Sequence, residues 1–286
     1  MLTLIIQGLI SGILLGGVYA LLSAGLSLYF GVARVANSAH AAFAIFAAHI
    51  ALFLYGLAGV DPILSIPIIM LILFIIGAVQ QKVLVNQVIQ QHPLTRLTLT
   101  FFVAIVVENA MILFWQNIYR SIITPYAIGS IVLYGISFPL IRVVAFILSM
   151  ATLVFLMLIL KYTKIGKAIR ATAENGEAAQ ICGVNISLIY TLTAGIAFSL
   201  GGLGGVLLGL LFTFYPAAHV FWIGKMYTIV ILGGIASIEG SFVAAFIIGF
   251  LEAFVGIYLS IMWASVISWM MVLLMLSFRR GGLLGK

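Results

Sequence analysis

Residues able to do chemistry are few and widely separated in this chain. Its 286 residues include six Asp/Glu, four His and one Cys. Asp61 is the single aspartate, so two-carboxylate chemistry and Asp-rich metal sites have little to build from. Cys182 alone cannot form an internal disulfide or a multi-cysteine metal site. His40 and His49 have no carboxylate or cysteine near them in sequence, which argues against zinc. Nothing matches G-x-S-x-G or H-E-x-x-H, so an intramembrane enzyme lacks a nucleophile–base or metal constellation. No G-x-x-x-x-G-K-[ST] run occurs either; Gly285-Lys286 lacks the leading Gly and the Ser/Thr, so ATP has no phosphate loop here.

The polar residues left over lie within apolar stretches. Glu108, beside Asn109, and Glu252 each interrupt a long apolar run. At bilayer depth an ionisable side chain costs ~2.5–3.5 kcal/mol and faces protein or a water-filled path. Each is therefore either a protonated or paired packing residue, or lines a path. Asn37 and His40 are three apart and share a face if helical; they read as a gate or path pair, or as a satisfied interfacial histidine with its neighbour. His49 reads as structural. His219 and Lys225, near Tyr215-Pro216, read as outer-face residues, either interfacial anchors or a contact for a delivering protein.

The elements that position these residues follow from composition. Apolar residues make up 65% of the chain and charged residues 7%, with mean hydropathy +1.33. Soluble domains carry about 25% charge, so this is a membrane protein. Backbone groups have no water to bond in lipid, and runs such as Leu153–Leu160 do not alternate, so the spans are helices rather than barrel strands. About 20 apolar residues cross the hydrocarbon layer. Charges and turn residues delimit spans near 4–30, 39–57, 62–81, 97–117, 138–160, 187–212, 240–259 and 262–278. The expected fold is a single all-α polytopic domain over 1–286, with about eight transmembrane helices. Met226–Ile235 reads as an added half-helix or re-entrant piece, too short to span. No charge precedes Arg34, so the first segment lacks the basic start of a signal peptide and reads as a retained helix.

The net charge of +7 has no clustered basic face for nucleic acid and reads instead as loop charge that sets orientation. Lys161, Lys164, Lys167 and Arg170 mark the longest polar loop as cytoplasmic. Arg34, Lys82, Arg96 and the tail residues Arg279, Arg280 and Lys286 are expected on the same side, with Arg120, Arg142, Lys225 and the N-terminus outside. Trp115, Trp222 and Trp263 fall near expected helix ends, at headgroup level. Gly8, Gly12 and Gly16, and again Gly201, Gly205 and Gly209, recur at four-residue spacing and read as close helix contacts. Both stretches contain Leu-Gly-Gly-Val, which hints at an internal repeat, although the two ladders are one residue out of register.

The one hydrophilic element, 163–186, reads as two short helices around Asn175-Gly176. Ile165 and Ile169 stand at i, i+4 in the first, Glu177 opens the second, and Gly183 suits a left-handed cap. Such short helices need packing to persist. They would lie on headgroups or dock a soluble protein.

Glu177-Ala178-Ala179-x-x-x-Gly183 resembles the E-A-A-x-x-x-G loop of ABC importer permeases. Gly166-Lys167-Ala168-Ile169-Arg170-Ala171 is similar to the G-[KR]-A-[IM]-R-A run of the branched-chain amino acid permeases. The Gly8–Gly31 glycine and Tyr19-Ala20-Leu21 pattern, Asn37-x-Ala39-His40, and Ile231-Leu232-Gly233-Gly234-Ile235-Ala236-Ser237 resemble further segments of that family, in order along nearly the whole chain. The sequence departs from the family pattern at Ser38, Ala41, Gly176, Ala236 and Glu239. The resemblance implies a permease subunit, the smaller of a usual pair, in a bacterial inner membrane, working by alternating access on branched-chain or other hydrophobic amino acids. Urea or short amides are the alternative cargo within the family, and a stand-alone channel or carrier the alternative outside it. It implies a second permease, two cytoplasmic ATPases that bind ATP and magnesium, and an extracytoplasmic solute-binding protein as partners. On this reading Gly166, Lys167, Arg170, Glu177, Ala178, Ala179 and Gly183 carry the ATPase coupling, while Asn37, His40, Glu108 and Glu252 are candidates for the path.

Overall fold

A computed structural model describes residues 2–133, 136–278 and 282–283. The tail charges Arg279, Arg280 and Lys286 lie outside the described residues. Long helices carry the chain back and forth: α1 (Leu2–Ala33), α2 (His40–Ala58), α3 (Pro62–Gln80), α4 (Pro93–Trp115) and α5 (Leu140–Tyr162). Two short helices, α6 (Lys164–Glu174) and α7 (Gly176–Ile181), separate these from α8 (Ile186–Leu211), α9 (His219–Gly233), α10 (Ile238–Tyr258) and α11 (Ile261–Phe278). Before α5, a small antiparallel hairpin pairs β1 (Ser130–Leu133) with β2 (Ile136–Pro139), Ser130 opposite Pro139.

Local chemistry sets the boundaries. Asp61 accepts from Ile63 N–H at 2.8 Å and Pro62 starts α3; His92 and Pro93 start α4 in the same way. Gly59, at φ +63°, ends α2 in the left-handed region that glycine adopts without strain. After Gln80 the helix widens into a π turn, Gln81–Val85. There the buried Gln81 accepts from the Tyr29 hydroxyl and donates to Asn86 at 2.9 Å.

Among the described residues, eight segments are long and apolar enough to cross a membrane, and Pro216–Gly233 is one of them. The short piece expected at 226–235 thus begins earlier, with a 3₁₀ turn at Pro216–Ala218. His219 and Lys225, expected as interfacial anchors or a docking contact, are buried inside the bundle, where carboxylates from other helices meet them. Lys225 is therefore no loop charge. Trp222 lies near the start of α9, as expected, but is buried, packed on Tyr19 and Phe212.

Of these eight segments, α8 is the most enclosed and α4 the least. Gly8, Gly12 and Gly16 of α1 face Phe254, Phe250 and Phe246 of α10. A Cβ on Gly12 or Gly16 would come within 2.8 or 2.9 Å of the Phe250 or Phe246 Cα, so only glycine permits this approach. Gly201, Gly205 and Gly209 of α8 face His40, Ala44 and Ala48 of α2, and a Cβ on Gly205 would strike the Ala44 carbonyl.

The two ladders thus serve different neighbours, α10 and α2. The halves nevertheless exchange partners in a common way. Helix α1 packs most closely on α10, and α8 packs most closely on α3. Each half's second helix opens on a buried histidine, His40 in α2 and His219 in α9.

Candidate functional site

The 163–186 segment is built by a run of side-chain caps. Thr163 Oγ1 accepts from Gly166 N–H at 2.9 Å, Asn175 Oδ1 from Ala178 N–H at 3.0 Å, and Asn185 Oδ1 from Leu188 N–H at 3.1 Å. Each starts a helix by satisfying one of its free N–H groups. Gly183 has φ +85°, and the amides of Gly183 and Val184 close back on the Gln180 and Ala179 carbonyls, the left-handed cap expected from its position.

Helix α6 packs on α5, α1 and α8, and α7 packs on α6 and α8. Its buried face is Gly166, Ile169 and Thr172. Ile165, expected to share that face with Ile169, is 47% exposed. The reason is Gly166: α6 meets the end of α5 there so closely that a Cβ would strike the Ile159 and Leu160 backbone, which turns Ile165 outward. Lys164, Lys167, Arg170, Glu177 and Ala178 are also exposed, while Ala179 is buried and anchors α7. The result is a charged platform bearing two bare isoleucines, Ile165 and Ile181.

The path candidates do not converge on one point. Asn37 precedes α2 rather than sharing a helical face with His40: its Oδ1 accepts from Ala39 N–H at 3.0 Å and its backbone carbonyl from His40 N–H at 3.3 Å. Both side chains are buried, and Asn37 Nδ2 and His40 Nε2 have no hydrogen-bond partner among the described residues. The His40 ring stands edge-on to Phe198 at 5.8 Å. Next to them, Thr100 Oγ1 of α4 accepts from Ser38 N–H at 3.2 Å and lies 3.1 Å from the Ala36 carbonyl. His49 is structural, with Nδ1 2.9 Å from the Ile45 carbonyl and its ring between Trp115 and Phe214.

Glu108 lies two turns beyond Thr100 on α4 and pairs with His219 Nε2 at 2.9 Å. Its side chain keeps 21% exposure, whereas Glu252 keeps 7%. Both Glu252 oxygens are occupied: Oε1 accepts from Ser268 at 2.7 Å, Oε2 from Tyr19 at 2.7 Å and from Lys225 at 2.9 Å. The Lys225 ammonium also lies 4.7–5.2 Å from the Tyr19, Phe221 and Trp222 ring centroids. Glu252 is thus joined to α1, α9 and α11, as the reading of it as a paired packing residue expects. A signal was present in the sequence: an acid inside an apolar span needs a partner of opposite charge, and few cations other than Lys225 interrupt such spans.

Two cavities flank the turn between α9 and α10. One, of roughly 510 Å³, is lined by Ser27, Lys161, Arg170 and Glu239 among others. The other, of roughly 560 Å³, is lined by Arg34, Ala36, Arg96, Leu97, Ala173 and Ile235 among others. Arg34, Arg96, Lys161 and Arg170 therefore gather at the end of the bundle that carries α6 and α7.

Comparison with known proteins agrees with this architecture. The family described as branched-chain amino acid transport system, permease component, matches residues 8–276. The high-affinity branched-chain amino acid transport system permease protein BraD of Pseudomonas aeruginosa is 25% identical, over 98% of this chain and 96% of that protein. LivH of Salmonella typhimurium, described in the same words, is 26% identical over 98% and 96%. A probable branched-chain amino acid transport permease protein LivH of Methanocaldococcus jannaschii is 26% identical over 87% of this chain and 80% of its own. No solved structure matches. With an all-α multispanning fold and a family match along nearly its whole length, this chain belongs to the branched-chain amino acid transport permeases.

Proposed function

We propose that this chain is a translocating subunit of an ATP-driven importer for branched-chain or other hydrophobic amino acids in a bacterial inner membrane. It works beside a second permease, two cytoplasmic ATPases that bind ATP and magnesium, and an extracytoplasmic binding protein. The observation that carries the reading is the exposed α6–α7 platform, where the Gly166–Ala171 and Glu177–Gly183 motifs sit on two short helices with side-chain N-caps. Seven basic residues at or near that end (Arg34, Lys82, Arg96, Lys161, Lys164, Lys167, Arg170) support a cytoplasmic placement.

In this mechanism ATP binding draws the ATPases together and displaces α6 and α7. Because Gly166 lets α6 lie directly on α5, and Ile169 is buried beneath it, the displacement passes to the spanning helices rather than being absorbed in a loop. Coupling requires that the ATP-bound and ATP-free states prefer different helix arrangements. The polar residues along α4, Thr100 and Glu108, with Asn37 and His40 close to Thr100, supply the path side of this subunit; Glu252 holds the bundle together.

Reconstitution tests the proposal. Liposomes holding the chain with its neighbouring permease and ATPases are expected to accumulate leucine only with ATP and binding protein. Flux of leucine, or of urea, through the chain alone would contradict it.

A further inference from the structure

The cavity beside Arg34 and Arg96 has chemistry that loop charge alone does not explain. Its wall brings together the end of α1 (Phe30, Gly31), the following turn (Arg34, Ala36), the first turn of α4 (Pro93, Leu94, Arg96, Leu97), Ala173 of α6 and the α9–α10 turn (Ile235, Ala236). Among the described residues, two guanidiniums line it and no carboxylate does. Among the described residues, which include all six acidic side chains, Glu108 meets His219 and Glu252 meets Lys225, and neither arginine has a carboxylate partner among them. Arg96 Nε is buried with no acceptor among the described residues. Arg34 holds φ +53°, a left-handed backbone that costs a non-glycine residue roughly 1–2 kcal/mol and is retained where the surroundings require it. The cavity across the same turn has Glu239 beside its Lys161 and Arg170 and lacks this imbalance.

An arginine pair without a counter-ion calls for a planar oxyanion, since a guanidinium fork matches a carboxylate in two parallel hydrogen bonds. The remaining walls are Phe30, Leu94, Leu97 and Ile235, apolar surface suited to a branched aliphatic side chain. Inward, Ala36 continues to Asn37, Ser38 and Thr100, the polar group already placed along the path. From these observations we propose that the cavity is the inner-end subsite of the transport path, where Arg34 and Arg96 receive the α-carboxylate of the departing amino acid. Resting on the proposed function, this site adds an identified end of the substrate. Ala173 makes α6 part of the wall, so the displacement that drives the permease also reshapes the subsite.

Arginine-selective labelling tests this on the full-length chain in zwitterionic-lipid nanodiscs, with phenylglyoxal as reagent and peptide mass mapping to read each arginine separately. A carboxylate at about three times its Kd leaves about a quarter of the sites free, so labelling slows about 4-fold. L-leucine and 4-methylpentanoate are expected to slow labelling of Arg34 and Arg96 together, leucinamide not, and Arg120 and Arg142 not at all. Equal protection of all four arginines, protection by leucinamide, or no protection by either carboxylate would overturn the proposal. So would protection appearing only when phosphatidylglycerol replaces part of the lipid, which would make this a headgroup site. Leucine accumulation in the assembled transporter is read separately, so a failed subsite and a failed functional reading give different results. In that assembly, Arg34→Gln with Arg96→Gln is expected to lower leucine turnover, with the lysine pair restoring part of it.

Discussion

With Glu252→Gln, the Lys225 ammonium would remain among Tyr19, Phe221 and Trp222 without its counter-charge. Breaking one partner of a buried ion pair costs about 3–5 kcal/mol, whereas replacing both by apolar groups is close to neutral. Lys225→Met and Glu252→Gln are therefore each expected to lower the melting temperature sharply, and Lys225→Met with Glu252→Leu to recover most of it. If that double variant folds but cannot transport, the Lys225–Glu252 pair serves transport as well as packing. Ala236 makes the opposite case. It sits at φ +73° in the turn between the two inner cavities, a left-handed backbone that glycine adopts without strain. Ala236→Gly is expected to stabilise the protein by about 1 kcal/mol, the strain of a left-handed alanine; an unchanged or lower melting temperature would contradict that account.

At the scale of elements, the permease fold depends on where backbones touch. Gly12 and Gly16 were readable as a contact from spacing alone, but the partner, α10, was not, because a glycine ladder states closeness and not identity. The spans were legible for the same reason that they are stable: lipid forbids unsatisfied backbone, so apolar runs become helices. Helix α9 was hidden, since Lys225 and His219 looked like boundaries until Glu252 and Glu108 from other helices met them. The α6–α7 segment was legible almost to the residue because Thr163, Asn175, Asn185 and Gly183 are local caps; the outward turn of Ile165 was not, because it follows from the fit of Gly166 on α5. Gly166→Val is accordingly expected to lift α6 off α5, leaving insertion intact and reducing uptake ~10-fold or more, within the usual range of coupling energies. Undiminished uptake in a correctly inserted variant would remove Gly166 from the transmission.

Across the whole molecule, α8 is enclosed while α4 leaves Phe101, Phe102, Val106, Leu113 and Phe114 exposed. The same helix carries Arg96, Thr100, Ala104 and Glu108 at four-residue spacing, so one side of α4 lies along the polar residues while the other is free for lipid or a second permease. Motion entering at the platform thus has a short route: α6 to α5 and α1, and through Ala173 to the Arg34–Arg96 cavity. Everything in this scheme requires that the platform touch a nucleotide-driven partner. Cys182 is the single native cysteine and is exposed, so a Cys182→Ser background with Glu177→Cys gives one reactive position on α7. Thiol crosslinking from residue 177 in intact cells, followed by mass spectrometry, measures the contact directly. The expected result is capture of a cytoplasmic ATPase, with a yield that changes when ATP is depleted. Labelling of residue 177 by an impermeant reagent from outside the cell, with no ATPase captured, would contradict the account.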